Sequence, residues 1–305
     1  MKKISRFIKI KYIILLSFIL NYYAFSDVVL DNFNSSFAYN EIINLTKYSP
    51  RNAGTTNGHN AAIHIYNRLK SFSIDTRLQY FTDSTPVGEK NMVNVIGTIP
   101  GRIDRWIIIG SHFDTMPGIK NYIGANDSGS STGILIELSR ILSEINLNYG
   151  VIFVFFDGEE GIRNYIPGDG LHGSRYFCKN IKESNFYKKC NAMILLDMVG
   201  DKDLTYTLPI NTSPVLSNKL FIAARKLDLE EYIKPNNKIF IIDDHVPFQN
   251  IGIPSINIID FNYGSKNGLN DFWHTSKDNL ENISEKSLKI SGNITIGLLK
   301  ELNLY

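Results

Sequence analysis

The stretch VIFVFFDGEE, residues 151–160, decides how this 305-residue chain folds. Its first six residues are uniformly apolar and too few for a helix, as expected of a strand buried on both faces. Such a strand belongs to a mostly parallel sheet with helices packed above and below it. The flanking sequence supplies both kinds of element. Apolar runs at 77–81, 91–99, 106–111, 192–196 and 255–259 read as further strands, with Pro100-Gly101 turning between two of them. Helical spacing of apolar residues appears over 37–48, 57–72, 130–145, 173–182, 213–227 and 284–302; Ile134, Leu138, Ile141 and Ile145 share one face of the third. The expected fold is α/β: a single three-layer domain, its central sheet mostly parallel, with helices on both faces.

Ligands of such sheets sit beyond the carboxyl ends of the strands, and there this sequence places acids and imidazoles. His112 and Asp114 follow the strand at 106–111, Asp157, Glu159 and Glu160 follow 151–156, and Asp197 follows 192–196. Asp127 precedes the long helix, Asp243-Asp244-His245 precedes a short Pro-containing stretch, and Trp273-His274-Thr275 lies before the last helix. Each has an ordinary explanation taken alone. Asp127 or Ser128 would cap a helix, Asp157-Gly158 would turn with both glutamates in water, His112 would be a hydrogen-bonded core residue, His274 a surface residue, and Asp243-Asp244 another cap. Together they crowd like charges into one crevice, and a divalent cation relieves that repulsion. Oxygen and imidazole donors without thiolate suit zinc in an open catalytic site. Side chains of adjacent glutamates diverge at a strand end, so Glu160 is assigned to the metal and Glu159 to proton transfer.

The first 26 residues differ in kind. Lys2, Lys3, Arg6, Lys9 and Lys11 precede the apolar run YIILLSFIL (12–20), and Ala24-Phe25-Ser26 offers small residues for cleavage before Asp27. This is the layout of a secretory signal peptide, too short in its apolar part for a comfortable membrane span. The expectation is a catalytic domain at 27–305, exported to the periplasm or beyond, without stable membrane association. Losing those five bases takes the net charge from +2 to −3, with 27 bases against 30 acids. No basic face remains to suggest nucleic acid. Cys178 and Cys190 would meet an oxidising compartment, where pairing and free thiols are both open.

His112-x-Asp114, Gly124-Ala125-Asn126-Asp127, Asp157-Gly158-Glu159-Glu160, Leu196-Asp197-Met198-Val199-Gly200 and Trp273-His274-Thr275 together resemble metallopeptidase family 28. That family holds zinc aminopeptidases and, as a branch, glutaminyl cyclases; the resemblance runs from about residue 51 to 302 and implies the zinc aminopeptidase (phosphorylase/hydrolase-like) fold. The long link 161–177 ending in Gly-Ser-Arg, the segment Asp243-Asp244-His245-Val246-Pro247-Phe248, and Trp before His274 are cyclase-like. The resemblance implies one zinc on Asp127, Glu160 and His274. It implies proton transfer by Glu159, with Asp197 and Asp243 as an acidic relay. Trp273 would line the pocket for an N-terminal glutamine, with Tyr165 on the rim where cyclases tend to carry Trp. Ser111 and Thr132 stand where animal cyclases often place a disulfide.

The expected activity is conversion of N-terminal glutamine of peptides or proteins to pyroglutamate with release of ammonia, by a monomer. The alternative is a two-zinc aminopeptidase, in which His112 and Asp197 hold the second ion. A non-catalytic peptidase-like binding module would require missing ligands or a missing Glu159, and none is missing.

Overall fold

Burial on both faces of the central strands explains why their sequences are apolar without a break. In the computed structural model, which describes residues 32–163, 168–235, 239–266 and 268–305, Val151, Phe153 and Phe155 face one apolar core while Ile152, Val154 and Phe156 face another. These residues belong to β4 (Tyr149–Phe156), the third strand in a six-stranded sheet. A strand with a core on each side has no polar face to show.

The sheet runs in the order β1 (Asp75–Thr85), β2 (Gly88–Ile99), β4, β3 (Ile103–His112), β5 (Cys190–Asp197) and β8 (Ser255–Ile259). The pairings β4·β3, β3·β5 and β5·β8 are parallel, and β1·β2 and β2·β4 antiparallel. The larger core is covered by α1 (Ser35–Thr46), α2 (Thr56–Ser71), α3 (Gly129–Ser143), α5 (Pro214–Lys226) and α7 (Glu285–Glu301). The smaller is covered by α4 (His172–Glu183) and the short α6 (His245–Asn250), through Phe177, Ile181 and Phe248. The expected three-layer domain with a mostly parallel mixed sheet is borne out.

Two features were not in the sequence reading, and a third, the helix that Asp243-Asp244 would cap, was read only as a Pro-containing stretch without bounds. The run at 77–81 is the middle of an 11-residue strand whose tip, Thr82-Asp83-Ser84, is polar and largely exposed, so apolar content gave no sign of it. A separate parallel pair, β6 (Tyr206–Leu208) with β7 (Ile233–Pro235), is too short for periodicity to register. Residues 245–250 form a helix despite Pro247, which stands in its first turn, where a missing N–H costs nothing.

Cys178 and Cys190 are free thiols buried in the smaller core, and burial pushes the Cys190 thiol up to about 12. The signal-peptide reading falls outside the described residues. Among the described residues, no helix is long and apolar enough to cross a membrane.

Candidate metal centre

Parallel register brings the strand ends level. His112 pairs with Phe156 across β3 and β4, and Gly110 with Leu195 across β3 and β5. The residues that follow therefore meet at one edge. The chain leaves β4 through Gly158 at φ +73°, where a Cβ would lie 2.7 Å from the Met92 sulfur. The next two amides, of Glu159 and Glu160, donate to Asp114 Oδ1 and Oδ2 at 3.1 and 3.2 Å. One buried carboxylate thus fixes the turn that presents both glutamates. Asp278 does the same for the opposite wall, accepting the Asn126 amide at 2.7 Å and the Asp127 amide at 3.0 Å.

Four imidazole–carboxylate distances define the centre. His274 Nε2 lies 3.1 Å from Glu160 Oε2 and 3.3 Å from Asp127 Oδ2. His112 Nε2 lies 3.1 Å from Asp127 Oδ1 and 3.3 Å from Asp197 Oδ1. Donors about 2.0–2.1 Å from a tetrahedral zinc stand about 3.3 Å apart, so both sets have the spacing of such an ion's ligands. Asp127 belongs to both, one oxygen facing each histidine. The donor chemistry and spacing therefore fit zinc on Asp127, Glu160 and His274, and the same holds for His112, Asp127 and Asp197.

The electrostatics match that layout. Burial works against a charged Asp127, but hydrogen bonds with His112 and His274 hold its carboxyl far below the usual range. Burial also opposes a charged His274, yet Asp127 and Glu160 lift it to about 10. Glu159 is pushed well up by burial and by the neighbouring carboxylates Asp243, Glu160 and Asp244, against the pull of His112. Asp243 rises by burial and by Asp197 and Asp244 beside it, while its oxygens accept from the Asn257 side chain and the Asp244 amide, both at 2.6 Å. Asp127, Glu159, Asp197 and Asp243 face a cavity of about 270 Å³ walled by Trp273, Phe261 and residues 239–242. Trp273 stacks on His274 at 4.0 Å between ring centroids and tilts against Phe261 at 5.2 Å.

His112, Asp127, Glu159, Glu160, Asp197, Asp243, Trp273 and His274 fall in this crevice, and Tyr165 lies outside the described residues; Asp157 instead accepts the Val93 amide and His245 Nε2 meets the Asn211 side-chain amide at 2.8 Å. The ordinary explanation holds for His112, which is buried and bonded to Asp127 and Asp197, and fails for the others. Ser128 and Asp244 occupy cap positions but make no side-chain cap hydrogen bond. Glu159 and Glu160 are buried rather than in water, and His274 is turned inward at φ +53°. Sequence reasoning placed Asp114 at the strand end without its hold on the two glutamate amides, and missed Asp278 and Tyr122 behind Asp127, Asn257 behind Asp243, and the Phe261 wall. Asp114 alone carried a signal, as part of His112-x-Asp114. Ser111 Oγ and Thr132 Oγ1 stand 3.4 Å apart, and both hydroxyls donate to the His112 carbonyl.

Arg51, fully buried, braces the loops around Asp127. Its guanidinium donates to the carbonyls of Phe113, Ile123 and Gly124 and to Ser49 Oγ. Arg51→Met takes the side-chain donor from the Phe113 carbonyl, while the Ile123 and Gly124 carbonyls keep Ser49 Oγ and the Gly129 amide, and it is expected to cost about 1–3 kcal/mol, read as a lowered urea midpoint with unchanged slope.

Comparison with known proteins agrees with this geometry. Residues 94–299 match the model of peptidase family M28. The glutaminyl-peptide cyclotransferase of Drosophila melanogaster is 27% identical over 258 residues, covering 75% of this chain and 71% of its own. The crystal structure of an Acidobacteriales bacterium glutaminyl cyclase superposes with a TM-score of 0.84 at 33% identity, covering 89% of this chain and 95% of that one. The Porphyromonas gingivalis glutaminyl cyclase gives 0.80 at 30% identity, covering 89% and 99%. The matched span holds Asp127, Glu159, Glu160, Asp197 and His274, the residues that build the centre, and the chain belongs to peptidase family M28.

Proposed function

We propose that this protein is a zinc-dependent glutaminyl-peptide cyclotransferase that closes N-terminal glutamine of peptides or proteins to pyroglutamate. One observation carries the reading: Glu159, Asp197 and Asp243 line a single small cavity together with Trp273 and Phe261. The names and coverage of the relatives support the same activity.

Cyclisation suits a cavity of this kind. The nucleophile is the α-amine of the residue whose side-chain amide is attacked, so both partners arrive already joined and little entropy is lost on reaching the transition state. A bond forms between the α-nitrogen and the γ-carbon, the bond from the γ-carbon to the amide nitrogen breaks, and ammonia departs. The amine must shed a proton and the leaving nitrogen must gain one. Glu159 takes the first and returns it to the second, a shuttle needing one carboxyl within reach of both nitrogens. Asp197 and Asp243 hold the neighbouring protons, with Asn257 fixing Asp243. No water is consumed, and the aromatic walls keep it out. Asp127, Glu160 and His274 would hold one zinc, which when bound acts as a Lewis acid toward the γ-carbonyl oxygen. Segment 1–26 directs export, leaving 27–305 as the working monomer.

A second reading has its own observation. His112, Asp127 and Asp197 form a donor set as well spaced as the first, which is what a two-zinc aminopeptidase of the same family needs. One experiment separates them. The purified protein is incubated with Gln-peptides and with Leu- and Ala-anilides, and zinc is counted per chain. Ammonia from Gln-peptides with one zinc is the expected result; free amino acid from the anilides with two zincs would overturn it.

A further inference from the structure

Two helices cover the smaller core, α4 against β2 and β4 and the short α6 against β5 and β8. Toward the last turn of α4, between that helix and the sheet, lies a cavity of about 660 Å³, within the range of small-molecule sites. It is set apart from the metal centre. Trp106, on its wall, precedes His112 by six residues along β3, a separation of about 20 Å at the rise of a strand.

The strand wall consists of Ile96, Thr98, Trp106 and Ile152, with the exposed Arg77 beside them; Phe177, Ile181 and Phe186 form the wall opposite. The chain itself holds these walls in shape. The Trp106 ring lies over Gly150, where a Cβ would stand 2.4 Å from it, and its Nε1 donates to Asp104 Oδ1 at 3.1 Å. Phe186 tilts against that ring at 5.6 Å between centroids. Arg105 donates to the Lys188 carbonyl at 2.9 Å, tying the turn at 186–189 to β3. A preformed, concave, mostly apolar site of this size suits a small molecule, and little ordering is left for the ligand to supply.

Charge selects the kind of molecule. Two cations border the cavity, and they differ in their company. Lys189 pairs with Asp104 at 2.5 Å, whereas Arg77 has no hydrogen-bond or ion-pair partner among the described residues. The last carbonyls of α4 make the helix side electronegative, so an anionic group belongs on the strand side, with Arg77. A guanidinium meets a carboxylate through two parallel hydrogen bonds, and the isoleucines and aromatic rings receive an apolar body.

We propose that this cavity binds an amphiphilic carboxylate of the fatty-acid type, its chain between the strand and helix walls and its head group on Arg77. The site is independent of the reaction at the metal centre.

The test is titration calorimetry of the whole protein with hexanoate, octanoate and decanoate, and with decan-1-ol as the uncharged match. Affinity is expected to rise about tenfold for each two methylenes, and decanoate to bind about tenfold more tightly than decan-1-ol. Arg77→Gln, a change at an exposed position, is expected to erase the preference for decanoate and leave decan-1-ol binding as it was. Thr98→Phe puts a ring into the cavity from a strand position that accommodates aromatics, and should weaken both ligands about tenfold or more. Melting curves verify that each variant is folded, and Arg77→Gln decides the matter alone if Thr98→Phe is not. The proposal is overturned by no saturable binding of decanoate at about 1 mM, by equal affinity for decanoate and decan-1-ol, or by decanoate binding that Arg77→Gln leaves unchanged. A carboxylate taken up on zinc at the metal centre would bind folded Thr98→Phe as tightly as the wild type, and that result overturns the site too.

Discussion

Glu159→Gln is expected to lower kcat for ammonia release by about 10²- to 10⁴-fold while leaving zinc content and fold unchanged. The separation of those readouts is what makes the variant informative. Glu159 is absent from both donor sets, so its carboxylate is not required to hold an ion. The turn that presents it is fixed through its backbone amide, which donates to Asp114 and survives the substitution. Glutamine matches glutamate in size, so the cavity keeps its shape. What is lost is the capacity to accept a proton from the amine and pass it to the leaving nitrogen. Zinc per chain and the melting midpoint serve as controls, and kcat is measured on a Gln-peptide. Retention of more than about a tenth of the activity would remove Glu159 from its role. Glu160→Gln is the natural contrast, because its side chain sits 3.1 Å from His274 within a donor set and its loss weakens metal binding too.

Much of this arrangement was legible because two kinds of pattern agree. Uninterrupted apolar runs mark strands buried on both faces, and parallel strands gather whatever follows them at one edge. That is how His112, Glu159, Glu160 and Asp197 were placed together from residues scattered over about 85 positions. The supports were not legible, for a physical reason. Asp114 and Asp278 act by accepting backbone amides, and any residue's amide offers the same donor, so nothing in the composition of residues 126–127 or 159–160 points to the distant acceptor. Asp278 lies some 150 residues from the amides it holds. The wall at 239–242 was invisible for the opposite cause. Four apolar residues in a row look like a buried strand, and only the two hydrogen bonds between the Asn211 side chain and the Ile241 backbone show why Phe240 and Ile242 face outward instead. Asp243 illustrates the middle case: its chemistry was readable, but the Asn257 amide that orients it became visible only when β8 was placed beside β5.

The number of metal ions rests on Asp127, and two matched variants separate the possibilities. His274→Gln removes the imidazole that faces Asp127 Oδ2 and Glu160, and His112→Gln removes the one that faces Asp127 Oδ1 and Asp197. Outer-shell partners of a metal ligand are worth about 10–100-fold in affinity, so loss of a ligand itself should exceed that. His274→Gln is therefore expected to come out of dialysis without zinc and without turnover. His112→Gln is expected to keep one zinc per chain, because Asp127, Glu160 and His274 are all still present, and to lose only part of its activity through disturbance of Asp197. Substitution by glutamine rather than alanine matters at position 112, which is buried against Asp114, Asp127 and Asp197; a void there would add a folding defect to the metal measurement. The wild type supplies the reference. If it carries two zincs, and His112→Gln drops to one with activity abolished, the His112–Asp127–Asp197 set is a working metal site and the enzyme is a two-zinc peptidase. If it carries one, lost only with His274, then Asp127 serves a single ion and its second oxygen is held by His112 as part of the scaffold that keeps Asp197 beside Asp243.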